Sequence, residues 1–270
     1  MEKSIEARHS TNYINYNEML DTLFEQWNCN KEEKFCKDGL MELPGKNVNQ
    51  LWEKSPRRIM FIAKEKNRYE GDDIRKWLIL DSPQGEENRN LFKGNVGKIG
   101  FLPNIAKMLY GLTITKKSFR PNYWQLKGLE AKIKEMFSST PFALVEAKKI
   151  AGGPICNNTK LNESLNNDES FLKKEIDILQ PNIIVCLDPK DNIFNFITEK
   201  YFTQEEPHQV FGGYYEGMNI HTCLWYYKNR KSVVIKSYHP TNLGKREGVI
   251  YEKVLSPFGG FMNAIDPDWL

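Results

Sequence analysis

The sequence predicts an α/β protein, a three-layer αβα sandwich around a central, mostly parallel, four-stranded sheet. Apolar runs of strand length alternate along the chain with segments whose apolar residues recur at helical spacing. That alternation is typical of a parallel sheet with helices on both faces. The chain has 270 residues, 40% of them hydrophobic, which is enough for one domain with a sizeable core.

The first part of the chain is expected to form a helical extension, residues 1–57, ahead of an α/β domain, residues 58–270. A loose tail is predicted at 1–12. Apolar residues then recur at helical spacing over 15–28, and the stretch MELPGKN at 41–47 has the composition of a turn.

The α/β domain is predicted from four apolar runs and the segments between them. The predicted strands are 59–63, 142–147, 182–187 and 233–239. Helices are predicted where apolar residues recur every three or four positions, at 72–80, 101–112, 125–137, 168–179, 189–199 and 243–256. The aromatic, glycine-rich segment 206–230 is expected to form a hairpin.

Composition narrows the class of protein. The five cysteines form no C-x-x-C pair, which favours reduced thiols in the cytoplasm and predicts neither a metal nor an iron–sulfur cluster, and no other cofactor. There is no run of 18 apolar residues and no secretory signal, so we expect no membrane partner. A net charge of +3, from 38 basic and 35 acidic residues, permits nucleic-acid binding where lysines cluster.

Polar residues follow three of the predicted strands. Glu65 follows the first strand, Glu146 ends the second, and His239 ends the fourth, where Pro240 stops the ladder. Because parallel strands end on one rim of a sheet, these side chains are expected to converge there. A carboxylate that orients water and a histidine that hydrogen-bonds a developing anion suit a hydrolase.

Two stretches resemble the uracil-DNA glycosylase superfamily. KEIDILQPNIIV at 174–185 is similar to the helix–strand unit of that family, and HPTNL at 239–243 is similar to its His-Pro-Ser loop. The resemblance covers roughly residues 58–257. It implies a uracil-DNA glycosylase-like fold and an enzyme that flips a base out of double-stranded DNA and hydrolyses its N-glycosidic bond.

The resemblance also implies roles for single residues. His239 would contact O2 of the leaving base, and Glu65 would position water at C1′. Leu243 would enter the gap left by the flipped nucleotide, while Lys245 and Arg246 would contact phosphates beside it. The basic residues Lys66, Lys148 and Lys149 are expected to extend this DNA contact.

Two departures from the family bear on the substrate. Glu146 stands where many members have an asparagine that reads uracil, and an ionised carboxylate accepts hydrogen bonds from cytosine N4 but repels uracil O4. Asn67 stands where uracil-specific members have a bulky tyrosine, which leaves more room at C5. Phe101 is the candidate for stacking on the base. Together these residues favour a modified cytosine, as in phage DNA, and a role in antiviral defence.

Three alternatives stay open. The chain can be an ordinary uracil-DNA repair glycosylase or a non-catalytic DNA-binding protein with the same fold, which the unusual first loop favours. It can also be an unrelated α/β hydrolase of small nucleotides, although a free nucleotide needs no apolar wedge such as Leu243.

Overall fold

A seven-stranded mixed sheet forms the middle of the molecule in a computed structural model that describes residues 14–67, 71–91, 100–153, 155–241 and 247–270. The strands run in the spatial order β1-β3-β2-β4-β7-β6-β5. They are β1 (Gly39–Leu40), β2 (Ile59–Ala63), β3 (Phe142–Glu146), β4 (Ile183–Leu187), β5 (Gln209–Tyr215), β6 (Ile220–Tyr227) and β7 (Ser232–Ser237).

The four predicted strands form the parallel block β3-β2-β4-β7 within this sheet. Ile59 of β2 is in register with Phe142 and with Ile183, and Ile183 is in register with Val233. The predicted α/β class is therefore confirmed. The four-stranded count is wrong, because β1 pairs antiparallel with β3, and the hairpin β5–β6 joins β7 antiparallel at the opposite end.

Helices surround the sheet. The α-helices of the described residues are α1 (Tyr16–Trp27), α2 (Val48–Lys54), α3 (Pro83–Arg89), α4 (Phe101–Ile114), α5 (Glu130–Phe137), α6 (Asn158–Asn167), α7 (Glu169–Leu179), α8 (Asn192–Asn195) and α9 (Glu247–Ile265). Helix α9 packs on β5, β6, β7 and α4, whereas α1 and α6 pack on α7. No helix of these ranges is long and apolar enough to cross a membrane.

Four predicted helices differ from the observed elements. The predicted helix 125–137 is a 3₁₀ turn, Tyr123–Leu126, followed by α5, and 189–199 is α8 followed by a π-helix, Phe196–Tyr201. The segment 72–80 holds only a 3₁₀ turn, Ile74–Lys76, because the chain runs extended beside residue 37: Lys37 donates to the Asp72 carbonyl oxygen and Ile74 donates to that of Lys37. The predicted closing helix, 243–256, is observed as α9 from residue 247, and residues 243–246 lie outside the described part of the chain.

Residues 14–57 share their hydrophobic core with the sheet. Leu20 and Phe24 of α1 are buried, and Trp52 of α2 is fully enclosed. The Trp52 indole N–H donates to the carbonyl oxygen of Leu179, 2.9 Å away, at the end of α7. A side chain from the N-terminal part thus satisfies a terminal carbonyl of a helix beside the sheet, as buried helix ends require.

We predict that Trp52→Ala lowers the free energy of unfolding by about 3–5 kcal/mol, since it leaves a cavity and removes the bond to Leu179. Urea denaturation should still show one transition. The matched control is Trp124→Ala, because Trp124 is 62% exposed and its loss should change stability by less than about 0.5 kcal/mol. Equal effects of the two substitutions would contradict this packing.

Candidate functional site

The loops that follow β2 and β3 run side by side at the carboxyl end of the sheet. Lys148 N–H donates to the Lys64 carbonyl oxygen at 2.8 Å, and Gly152 N–H donates to that of Lys66 at 2.9 Å. These bonds extend the β2–β3 ladder beyond the strands. The two loops therefore lie side by side at the edge of the sheet where the sequence predicted the site.

Glu65 lies within this pair of loops, with a side chain that is 7% exposed. Its carboxylate accepts a hydrogen bond from Lys148 Nζ, which also donates to the Ile150 carbonyl oxygen at 2.5 Å. The carboxylate packs directly on Gly152, where a Cβ would collide with it. Burial, and next the Glu65 charge, raise the pKa of the neighbouring Cys156 thiol to about 11. Glu65 is thus a fixed carboxylate with an ammonium partner.

His239 lies two residues beyond the end of β7. Its Nδ1 atom accepts a hydrogen bond from Thr241 N–H at 3.3 Å and lies 2.8 Å from the Thr241 hydroxyl oxygen. Because a backbone N–H only donates, the neutral ring carries its proton on Nε2. Burial, and next the positive charge of Lys64, lower the pKa of His239 to about 4. The imidazole is therefore neutral at pH 7 and can donate through Nε2.

Helix α4 supports the histidine loop. Asn104 is buried, and its side-chain N–H donates to the Pro240 carbonyl oxygen at 2.8 Å. The Phe101 ring lies against the His239 ring, with 5.6 Å between centroids and a tilt of 42°. The structure thus brings Phe101 beside His239, while its role in stacking on a base stays a prediction.

Glu146 is 2% exposed and ends β3 opposite Ala63 of β2. Its backbone N–H donates to Asp38 Oδ2 at 2.6 Å. Its Oε2 atom is buried and has no hydrogen-bond partner among the described residues. Burial, and next the charge of Asp38, raise the pKa of Glu146 to about 8.

Lys149 is in the interior, with a side chain that is 1% exposed. Its ammonium lies 2.6 Å from Asp38 Oδ2 and 2.7 Å from Glu175 Oε2, above the ring of Trp27 at 5.1 Å. Burial lowers the pKa of Lys149, but the two carboxylates outweigh burial and raise it. The prediction that Lys149 contacts DNA is therefore wrong, because an enclosed ammonium with two partners cannot reach a phosphate.

The other residues predicted to contact DNA or the base differ in exposure. Lys66 is 8% exposed and pairs with Asp72 at 3.1 Å, and Lys148 is held by Glu65, so both ammonium groups lie close to carboxylates. Asn67 is exposed, and its backbone bridges to Gly152. The roles of Lys66, Lys148 and Asn67 stay predictions.

Three residues of the predicted DNA contact cannot be placed. Leu243, Lys245 and Arg246 lie outside the described residues, in the gap between residues 241 and 247. The described chain reaches this gap from His239 on one side and enters α9 on the other. Their roles as wedge and phosphate contacts stay predictions from the sequence.

Two buried acids at this rim were missed by sequence reasoning. Asp38 has no exposed surface, and its charge lies beneath the end of β3. Asp188, directly after β4, accepts hydrogen bonds from Asn192 N–H at 2.7 Å and from Lys190 N–H at 3.0 Å. Its charge counteracts the lowering of the His239 pKa. The position of Asp188 directly after a predicted strand could have indicated it. Asp38 lies in a polar segment that has no recognisable pattern.

A metal site and a separate cleft were also considered as places where a ligand could bind. In the part of the chain that is described, no group of three or more His, Cys, Asp and Glu side chains is arranged to hold a metal ion. A cleft of about 980 Å³ opens between α1 and α2 and is lined mainly by polar residues, among them Asn15, Asn47 and Asn49. It contains none of the predicted site residues.

Comparison with known proteins adds no identity. No protein-family model matches the chain, and no curated protein sequence matches it. Any assignment of function therefore rests on the residues at the rim and on the two stretches that resemble a family.

We predict that the lowered pKa of His239 makes stability depend on pH. An unfolded histidine binds a proton below about pH 6.5, but the folded one does so only near 4, so stability is complete above 6.5 and is lost as pH falls toward 4. Between pH 7 and 5 the wild type should lose about 2 kcal/mol more than His239→Gln.

Urea unfolding of both proteins at the two pH values measures this difference. His208→Gln is the control for the loss of a histidine as such, since His208 is exposed on the chain before β5. Parallel pH curves for the wild type and His239→Gln would show that the imidazole is not held neutral.

Proposed function

We propose that the protein is a DNA glycosylase, which flips a base and hydrolyses its N-glycosidic bond. The observation that carries the proposal is the arrangement of Glu65 after β2 and a neutral His239 after β7 on one rim of the sheet. Since β4 lies between these strands, their ends are separated by two strand spacings, roughly 10 Å. That distance leaves room for a nucleotide between the two groups.

The proposed chemistry uses each group once. Glu65 positions water and accepts its proton as the water oxygen bonds to C1′. The bond from C1′ to the base breaks, and the base leaves with the electron pair. His239 donates its Nε2–H to O2 of the leaving base, which stabilises the negative charge. The imidazole donates in its neutral form, because burial and the charge of Lys64 disfavour the imidazolium.

Within this activity we propose a modified cytosine as a substrate, bound through its N4 amino group. The carbonyl or carboxylate oxygen of Glu146 accepts a hydrogen bond from N4–H₂ in either protonation state. Asn67, exposed beside Gly152, is smaller than the tyrosine of uracil-specific members and leaves space for a substituent at C5. Removal of such bases from phage DNA, and thus antiviral defence, is the biological role that we propose.

The second candidate is a non-catalytic DNA-binding protein. It is favoured by one observation, the 7% exposure of the Glu65 side chain, because a carboxylate enclosed by Lys148 and Gly152 must be uncovered before it can meet water. Excision assays separate the two candidates. Duplexes that each hold a single modified base are incubated with protein, and the abasic sites are then cleaved with alkali.

We predict that Glu65→Gln and His239→Gln each lower the rate of excision by about 10²–10³-fold, the usual cost of losing one group that stabilises the transition state. Binding to the same duplex should change little, which gel-shift titration measures. Glu135→Gln on exposed α5 is the matched control and should excise at the wild-type rate. Wild-type binding without excision of any base would favour the non-catalytic candidate.

We predict from the sequence that Leu243→Ala slows excision from duplex DNA more than excision from a single strand. Only the duplex has a gap to fill after flipping, where an apolar wedge offsets an unstacking cost of a few kcal/mol. Rates on both substrates at one ionic strength provide the measurement. An equal loss on the two would assign Leu243 a structural role.

A further inference from the structure

Glu146 is an acid without a charge partner at the proposed site. It is 2% exposed, and its Oε2 atom is buried without a hydrogen-bond partner in the described ranges. No lysine or arginine of those ranges forms an ion pair with it. Leaving an ionised oxygen in such surroundings costs far more than leaving a neutral one.

The charges around Glu146 also favour its neutral, protonated form. The Asp38 carboxylate accepts a hydrogen bond from the Glu146 backbone N–H. Burial raises the pKa of Glu146 most, followed by the charge of Asp38, and Glu65 adds to this effect. Lys149 and Lys66 lower the pKa, but they do not outweigh the increase. Each lysine also has a carboxylate partner of its own. The adjacent Cys36 thiol is uncharged at neutral pH, because burial raises its pKa to about 11.

We propose that Glu146 is a carboxylic acid at neutral pH, that Asp38 is the positioning residue that keeps it so, and that base selection by this site changes with pH. The proposal rests on the proposed glycosylase function and specifies how its site reads a base. Asp38 acts through its bond to the Glu146 backbone and through its charge. It does not contact the substrate.

The protonation state decides which bases Glu146 can pair with. A carboxylic acid has one O–H donor and one carbonyl acceptor. It can donate to cytosine N3 while accepting from N4–H₂, or donate to uracil O4 while accepting from N3–H. A carboxylate only accepts, so it retains the cytosine contact and repels O4. At neutral pH the site therefore admits both base types, unlike the ionised Glu146 expected from the sequence.

The direct test is infrared difference spectroscopy between pH 6 and pH 9.5. The wild type should lose the carbonyl stretch of a protonated carboxylic acid as Glu146 ionises near pH 8, and Glu146→Gln should lack that change. Glu135→Gln is the matched control, because Glu135 is exposed on α5 and its replacement should leave the Glu146 band in place. Identical difference spectra for the wild type and Glu146→Gln would overturn the proposal.

Asp38→Asn tests the positioning role. With the Asp38 charge removed, the Glu146 band should disappear at a lower pH than in the wild type. An unchanged titration in a folded Asp38→Asn protein would contradict the role of Asp38. If this variant does not fold, because Lys149 loses a partner, Asp38→Glu supplies a carboxylate of altered reach, and its Glu146 band should titrate again near the wild-type pH.

The functional test compares duplexes that hold a cytosine or a uracil with the same C5 substituent. Between pH 7 and 9 the ratio of cytosine to uracil excision should rise about tenfold, because the acid form of Glu146 falls from about nine-tenths to one-tenth of the protein. Glu146→Gln, whose amide also donates and accepts, should give a ratio that does not change with pH.

The two tests fail separately. A constant wild-type ratio, or strong rejection of uracil at pH 7 by an enzyme active on cytosine, overturns the protonation proposal. Absence of excision from every duplex contradicts the glycosylase function, while the infrared band still decides the protonation state of Glu146.

Discussion

The buried ammonium of Lys149 is the interaction on which the site depends. An ammonium in the protein interior costs several kcal/mol unless carboxylates compensate it, and removing a partner from such a pair is strongly destabilising. Here the partners are Asp38, from the segment before β1, and Glu175, from α7. One charge thus joins three distant parts of the chain. Because Asp38 also accepts the Glu146 N–H, the ion pair fixes the end of β3 as well.

Hydrogen bonds to the backbone position the other residues at the carboxyl end of the sheet. Backbone hydrogen bonds hold the loop after β3 to the loop after β2. They place Lys148 next to Glu65, to which its ammonium donates. His239 is placed by different means, since Asn104 of α4 binds the carbonyl oxygen of the next residue. Both devices act through the backbone, which positions groups more precisely than flexible side chains do.

Local sequence patterns predicted the parallel strands. They did not reveal features that depend on contacts between distant parts of the chain. The stretches 59–63, 142–145 and 183–187 are apolar throughout, as strands buried on both faces are, and each lies in a parallel strand. Whether the 206–230 hairpin joins the same sheet depends on pairing between β6 and β7, which composition does not reveal. Lys148 and Lys149 look alike in sequence, but Lys148 pairs with Glu65 and Lys149 with the buried Asp38 and Glu175, partners that lie far away in the sequence.

Two carboxyl groups at the ends of neighbouring strands have opposite surroundings. Glu65 is bound by the ammonium of Lys148, whereas Glu146 lies beside the negative charge of Asp38. In the proposed reaction Glu65 accepts a proton from water and His239 donates to the leaving base, whereas Glu146 only forms hydrogen bonds with the edge of the base. The buried pair of Asp38 and Lys149 therefore supports the fold, and it places the charge of Asp38 beside the proposed base-binding acid, Glu146.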